Sequence, residues 1–216
     1  MMMLYYSGGE HHTEGVGFAV NRKCLDYVVG FQLLTSRITV LTLTGTMKTH
    51  IVAVYAPTEM SSEESRDEFY DRLQVALDTL PRRDIIITAG DVNAHIGTNR
   101  DGWNNVTGSL RYGNMNDNGF RLFSFAAANN FIISNTYFQH PLKHRLTWRM
   151  PSGKDTAILD YFFIRSRFGN AVHERYGYSD IFEGQPVIVM PDNVPTEAKR
   201  IRENLKKVFF SRDGIH

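Results

Sequence analysis

Ile85-Ile86-Ile87-Thr88-Ala89-Gly90-Asp91-Val92-Asn93-Ala94 is the stretch on which the fold turns. Its opening isoleucines do not alternate with polar residues, which is the pattern of a strand buried on both faces. Such a strand, expected over residues 84–88, requires that a sheet be covered from two sides. The run then ends in glycine and places a carboxylate and a carboxamide two residues apart. If the chain stays extended there, Asp91 and Asn93 leave on the same face, at a strand edge where site residues are commonly displayed. Gly-Asp-x-Asn is also good turn chemistry after any strand, so both readings stand at this point.

Working outward, residues 16–20, 25–34, 38–44 and 50–55 are rich in β-branched and aromatic residues and are separated by short polar segments, the pattern of a β-meander. Ile38, Val40 and Thr42 alternate with Thr39, Leu41 and Leu43, and both sets are largely apolar or threonine, so both faces of that strand are expected to be covered. Pro57 breaks the pattern. Ser61 followed by Glu64 has the spacing of a capping box, and Phe69, Leu73, Ala76, Leu77 and Leu80 recur at helical spacing until Pro81. A second helix is expected over 118–129 with Phe120, Phe123 and Ala127 on one face. Further strands are expected at 131–134, 145–149 and 157–164, the last two joined across Pro151-Ser152-Gly153. Strands, helix, strand, helix and more strands favour a mostly antiparallel α+β domain over a Rossmann succession. Residues 191–195 look like a linker, and 196–210 read as an amphipathic helix with Ile201, Leu205, Val208 and Phe209 on one stripe. The organisation is therefore a domain over 4–190 and a tail over 191–216.

At 42% hydrophobic residues and net charge +1, the chain has an ordinary globular composition, which excludes disordered and collagen-like classes. No apolar run approaches the roughly 18–20 residues that a bilayer span needs, so no membrane partner is expected. The one cysteine, Cys24, excludes a disulfide framework and suits a reducing, intracellular compartment. With so little net charge, any affinity for nucleic acid must be local. Residues 139–154 carry Lys143, Arg145, Arg149, Lys154, His140, His144 and Trp148 with no acid, a mixture able to bind phosphates and stack on a base. A solvated face is the plainer reading of that run. Asp160 sits inside the apolar run 158–164 and needs a partner, a metal or water; outward placement on an edge strand is the alternative. His95 and Trp103 have plain readings as a surface-loop residue and as packing under a loop.

Taken together these segments resemble the endonuclease/exonuclease/phosphatase superfamily: Val54-Tyr55-Ala56-Pro57-Thr58, then Gly90-Asp91-Val92-Asn93, then Leu159-Asp160-Tyr161. Asn116-Asp117-Asn118-Gly119-Phe120-Arg121-Leu122, Asn135-Thr136-Tyr137-Phe138-Gln139 and Thr147-Trp148 are most similar to the RTE-type non-LTR retrotransposon endonucleases and the craniofacial development protein 2-like group. The likeness covers about residues 4–168. It implies a four-layer α/β/β/α sandwich, two mostly antiparallel sheets flanked by helices, acting as a monomeric, Mg2+-dependent DNA endonuclease, with the nucleus as a candidate location.

In that likeness Asp91 activates the attacking water and is the metal ligand. Asn93 helps fix the phosphate, and Asp160 holds a histidine. Asn135, Arg145, Trp148 and Arg149 are the substrate-binding candidates. The family's metal-binding Glu lies upstream of the segment matching Tyr5-Tyr6-Ser7-Gly8, so the resemblance implies a domain truncated at its N-terminus. Glu10 and Glu14 lie past that point. Ser179-Asp180 is followed by Ile181 rather than histidine, and His173 and His216 match no family context. The tyrosine that some relatives place at the head of the first long helix is not matched. The implied consequence is weak or absent Mg2+ binding and impaired hydrolysis; the alternative is a non-catalytic remnant or nucleic-acid-binding module.

Overall fold

Six strands form the main sheet, in the order β3-β4-β5-β6-β10-β7. They are β3 (Val28–Thr35), β4 (Ile38–Leu43), β5 (Thr49–Tyr55), β6 (Ile85–Asp91), β7 (Phe131–Ile133) and β10 (Asp160–Arg165). The β5–β6 pair is parallel and the other pairs are antiparallel. A separate ribbon pairs β1 (Met2–Tyr6) with β2 (Gly17–Asn21), and a short one pairs β8 (Trp148–Arg149) with β9 (Thr156–Ala157). The helices are α1 (Arg22–Leu25), α2 (Glu63–Asp78), α3 (Asp117–Ala128) and α4 (Leu142–Arg145). The computed structural model describes residues 2–7, 15–99, 101–150, 152 and 155–171. Glu10, Glu14, Lys154, His173, Ser179, Asp180, the boundary at 190, the 196–210 helix and His216 lie outside the described residues.

The isoleucine run is buried on both faces, as its composition requires. Ile86 joins Val52, Val54, Tyr161 and Phe163 against Phe69, Leu73 and Leu77 of α2 and Leu122, Phe123 and Ala126 of α3. Ile85, Ile87 and Ala89 join Leu41, Ile51, Ala53, Phe162 and Ile164 on the far face, against Val16, Phe18, Val20 and Cys24. Helices on one face of a large, mostly antiparallel sheet and the β1–β2 ribbon on the other give the expected α+β layering among the described residues. No helix among the described residues is long and apolar enough to cross a membrane.

Several local expectations are corrected. Residues 16–55 are not one meander: β2 pairs with β1, and α1 carries Leu25 out of the expected strand before β3 begins. The α2 cap is Ser62, whose side chain accepts from the Ser65 amide, one residue beyond the predicted Ser61. Helix α3 starts at Asp117 under an Asn116 cap. That start turns Asn118, Gly119, Leu122, Phe123 and Ala126 inward and leaves Phe120 53% exposed. Residues 145–149 and 157–164 split, because α4 takes Arg145 and the chain breaks between β9 and β10.

Candidate functional site

Two register facts assemble the site. Asp160 is directly opposite Asp91 in the antiparallel β6–β10 pair, and Tyr55 is opposite Asp91 in the parallel β5–β6 pair. Opposed residues share a face, with Cβ atoms about 4.5–5.5 Å apart. Alternation from Ile87 and Ala89, and from Phe162 and Ile164, puts both carboxylates on the ribbon side of the sheet. Tyr55 also packs with that cluster. Asp160 therefore stands in an interior strand, and the edge-strand alternative is excluded. Its carboxylate is half-buried, and Asp91 is buried.

Gly90 is what allows the row to form. Its φ of 146° lies in the region favouring glycine, and a Cβ would collide with the Val54 carbonyl oxygen on β5. Beyond it the chain leaves the strand through Asn93, itself at φ 47°. The Asp91 Oδ1 accepts from the Asn93 amide at 2.9 Å, and the Asn93 Nδ2 donates to the Ala56 carbonyl at 2.8 Å. Buried Asn118, in the first turn of α3, donates through Nδ2 to the Asn93 carbonyl at 3.0 Å and the Pro57 carbonyl at 3.1 Å. The Asn116 Oδ1 accepts from the His95 and Gly119 amides at 2.9 and 2.8 Å. The Asn-Asp-Asn-Gly segment thus works through α3: it clamps the Asp91–His95 loop against the strand end. His95 is half-buried and enters this clamp through its backbone.

The row extends at both ends. In the β3–β4 turn, the Arg37 Nη1 donates to the Tyr55 carbonyl at 3.1 Å, and its guanidinium carbon lies 5.1 Å from the Tyr55 ring centroid. On the other side the Asn135 Nδ2 donates to the Asp160 carbonyl at 3.2 Å, and its Oδ1 accepts from the Phe162 amide at 3.4 Å. Asn135 is therefore tied to the backbone of β10 beside Asp160. Arg37 and Tyr55 were missed as site residues in the sequence, because only the sheet register brings them to Asp91.

The basic segment meets the row through Thr147. Its Oγ1 accepts from the Leu159 and Asp160 amides at 3.0 and 3.2 Å. Trp148 and Arg149 follow in β8, paired with Ala157 and Thr156 of β9, with Trp148 half-buried and Arg149 exposed. The Nε and Nη1 of half-buried Arg145 are enclosed without an acceptor among the described residues. Trp103 lies under its loop, with ring centroids 5.9 Å from Phe120 and 5.1 Å from Phe123. The phenol of Tyr161, buried behind the row, is pushed far above the ordinary tyrosine range by burial, and the nearby charges of Asp160 and Asp91 add to this.

What the described residues offer a Mg2+ ion, which usually keeps several waters, is the facing carboxylate pair Asp91 and Asp160. That ion demands near-octahedral oxygen ligation. No group of three His, Cys, Asp or Glu side chains converges among the described residues, which leaves Asp91 and Asp160 as the facing pair.

Craniofacial development protein 2 from Bos taurus is 31% identical to the chain over 171 residues, 78% of this chain and 28% of that protein. The chain is similar in sequence to craniofacial development protein 2. The same protein from Tragulus javanicus is also 31% identical, over 78% of this chain and 29% of its own length. The chain thus spans less than a third of the curated relatives it matches. Among solved structures, the endonuclease domain of TRAS1, a telomere-specific non-LTR retrotransposon, aligns with TM-score 0.48 and 12% identity, covering 80% of this chain and 71% of that one. A humanized D. rerio TDP2 aligns with TM-score 0.45 and 13% identity, covering 76% and 61%. No protein-family model matches the chain.

Proposed function

We propose that the Arg37–Tyr55–Asp91–Asp160 row grips a phosphodiester of nucleic acid and hydrolyses it weakly, as an endonuclease of the retrotransposon type with an impaired metal site. The observation carrying this reading is the register that sets Asp91 against Asp160 beside Asn93. Asp91, whose Oδ1 is aligned by the Asn93 amide, orients the attacking water and takes its proton. Asn93 keeps a second amide hydrogen beyond the one given to Ala56 and directs it at a phosphoryl oxygen. Tyr55 and Arg37 supply donors on one side of the scissile group. Asp160, held by Thr147 and Asn135, orders the other side. Phosphoryl transfer depends on such positioning and charge stabilisation.

Magnesium binding at Asp91 is expected to be weak, and isothermal titration with MgCl2 measures it. The activity test is nicking of supercoiled plasmid by the full chain with Mg2+, compared with Asp91→Ala. Cleavage lowered at least tenfold in the variant is expected; equal cleavage by both proteins rejects the catalytic reading.

A second reading is favoured by the enclosed Arg145 Nε and Nη1, which have no acceptor among the described residues: nucleic-acid binding without chemistry. It predicts salt-sensitive DNA binding that weakens on Arg145 and Arg149 substitution. Binding indifferent to salt rejects it.

A further inference from the structure

The far end of the sheet gathers four arginines from two separate segments. Arg82 and Arg83 lie in the loop between α2 and β6, and Arg165 and Arg167 lie where β10 ends. Five residue steps along β10 separate this end from Asp160, about 17 Å at strand rise. Arg165 and Arg167 are held by neutral groups. The Arg167 Nη2 donates to the Arg82 carbonyl oxygen. The Arg165 guanidinium carbon lies 5.9 Å from the Phe131 ring centroid, and that of Arg167 lies 4.4 Å from the Phe168 centroid. The Arg165 Nε is enclosed and has no acceptor among the described residues.

Acids compensate little. The Asp84 Oδ2 is 3.0 Å from the His50 Nε2 inside the protein, and its Oδ1 is 3.8 Å from the Arg83 Nε. Asp78 is the other carboxylate acting on Arg165. Burial, then the charges of Arg82 and Arg167, push the Arg165 guanidinium below its ordinary value. Asp84 and Asp78 offset the four arginines only in part, and Arg82, Arg83 and Arg167 are exposed. A guanidinium carries five N–H donors in a planar fork, a geometry suited to phosphate oxygens.

We infer that this arginine pole is a second docking surface for a nucleic-acid backbone, separate from the Asp91–Asp160 row. The choice of nucleic acid over other polyanions rests on the function proposed above. Contact there is with phosphates, so it is indifferent to base sequence.

The test is fluorescence anisotropy of the full chain with a fluorescein-labelled DNA duplex, without divalent metal, across a salt series. Arg82, Arg83 and Arg167 are exposed, so Arg82→Ser/Arg83→Ser/Arg167→Ser spares the core. It is expected to weaken binding about tenfold or more and to flatten the slope of log K against log salt by roughly two to three, near 0.9 for each phosphate no longer neutralised. The corresponding triple lysine variant is expected to retain the slope, which separates charge from fold. Unchanged binding by the serine variant overturns the inference. So does arginine-dependent binding to polyglutamate or phosphatidylserine vesicles with none to DNA. A parallel Arg145→Ser/Arg149→Ser variant separates the two readings. If it alone weakens binding, the inference falls and the site reading stands. If the parent binds no DNA, both fall. Arginine-pole binding without plasmid nicking leaves the inference standing and rejects catalysis alone.

Discussion

Asn118→Ala tests whether the loop carrying Asn93 is held by α3 or merely rests on it. Asn118 is 1% exposed, and its Nδ2 serves two carbonyls, Pro57 at 3.1 Å and Asn93 at 3.0 Å. Alanine removes both donors and leaves two buried acceptors, each costing about 1–3 kcal/mol when unpaired. The better helix propensity of alanine returns about 0.5 kcal/mol. The expected net loss is about 3 kcal/mol, which at roughly 2–4 °C per kcal/mol for a chain of this size lowers Tm by about 6–12 °C. Urea unfolding followed by circular dichroism measures it, with an unchanged m-value as the sign that only stability moved. Asn118→Asp keeps the shape without the donors and is expected to lose at least as much. A loss below about 1 kcal/mol in alanine, or tolerance of aspartate, would falsify the clamp.

Gly90→Ala places a Cβ against the Val54 carbonyl oxygen at a positive φ. Left-handed backbone costs about 1–2 kcal/mol and overpacking a further 1–3, so a loss near 3 kcal/mol or more is expected; parent-like thermal unfolding refutes the close β5–β6 approach. The buried phenols of Tyr70 and Tyr161 are both raised, chiefly by burial. Because their folded values lie above the unfolded value near 10, their stabilisation is complete below about pH 10 and is lost as pH rises further. Stability should then fall by about 1.4 kcal/mol per pH unit for each phenol. Tyr161→Phe should halve that alkaline slope, while costing about 1 kcal/mol at neutral pH for the bond to the Ile158 carbonyl at 2.8 Å. An unaltered slope in urea unfolding above pH 10 rejects the burial argument.

The parts of the fold most legible in the sequence are those where one force dominates. Uninterrupted Ile85-Ile86-Ile87 had to be covered twice, and the Phe69–Leu77 spacing had to be a helix facing the sheet. Boundaries set by competing local bonds were less legible: Ser61 and Ser62 are both competent caps, and neighbouring residues decide between them. Phe120 was misplaced because the inner face of α3 is claimed by Asn118 and Gly119, whose work is hydrogen bonding and close approach rather than hydrophobic burial. Asp91, Asn93 and Asp160 are readable as isolated anomalies; strand register sets Asp91 against Asp160, and Asn93, beyond the strand, is tied to Asp91 by its amide. Arg37 carries no anomaly at all, and Tyr55 stands out only as part of Val54-Tyr55-Ala56-Pro57-Thr58; the sheet is what aligns them with Asp91.

Strand β10 comes last among the described strands, yet it is inserted between β6 and β7. During synthesis those two strands must wait, each with a bare edge, until residue 165 has left the ribosome. The two carboxylates meet only at that closing event, so no earlier portion of the nascent chain possesses the row. A message cut before this point would release a polypeptide displaying the Ile85–Asp91 edge, a template for association with its own copies and a substrate for chaperones and proteases.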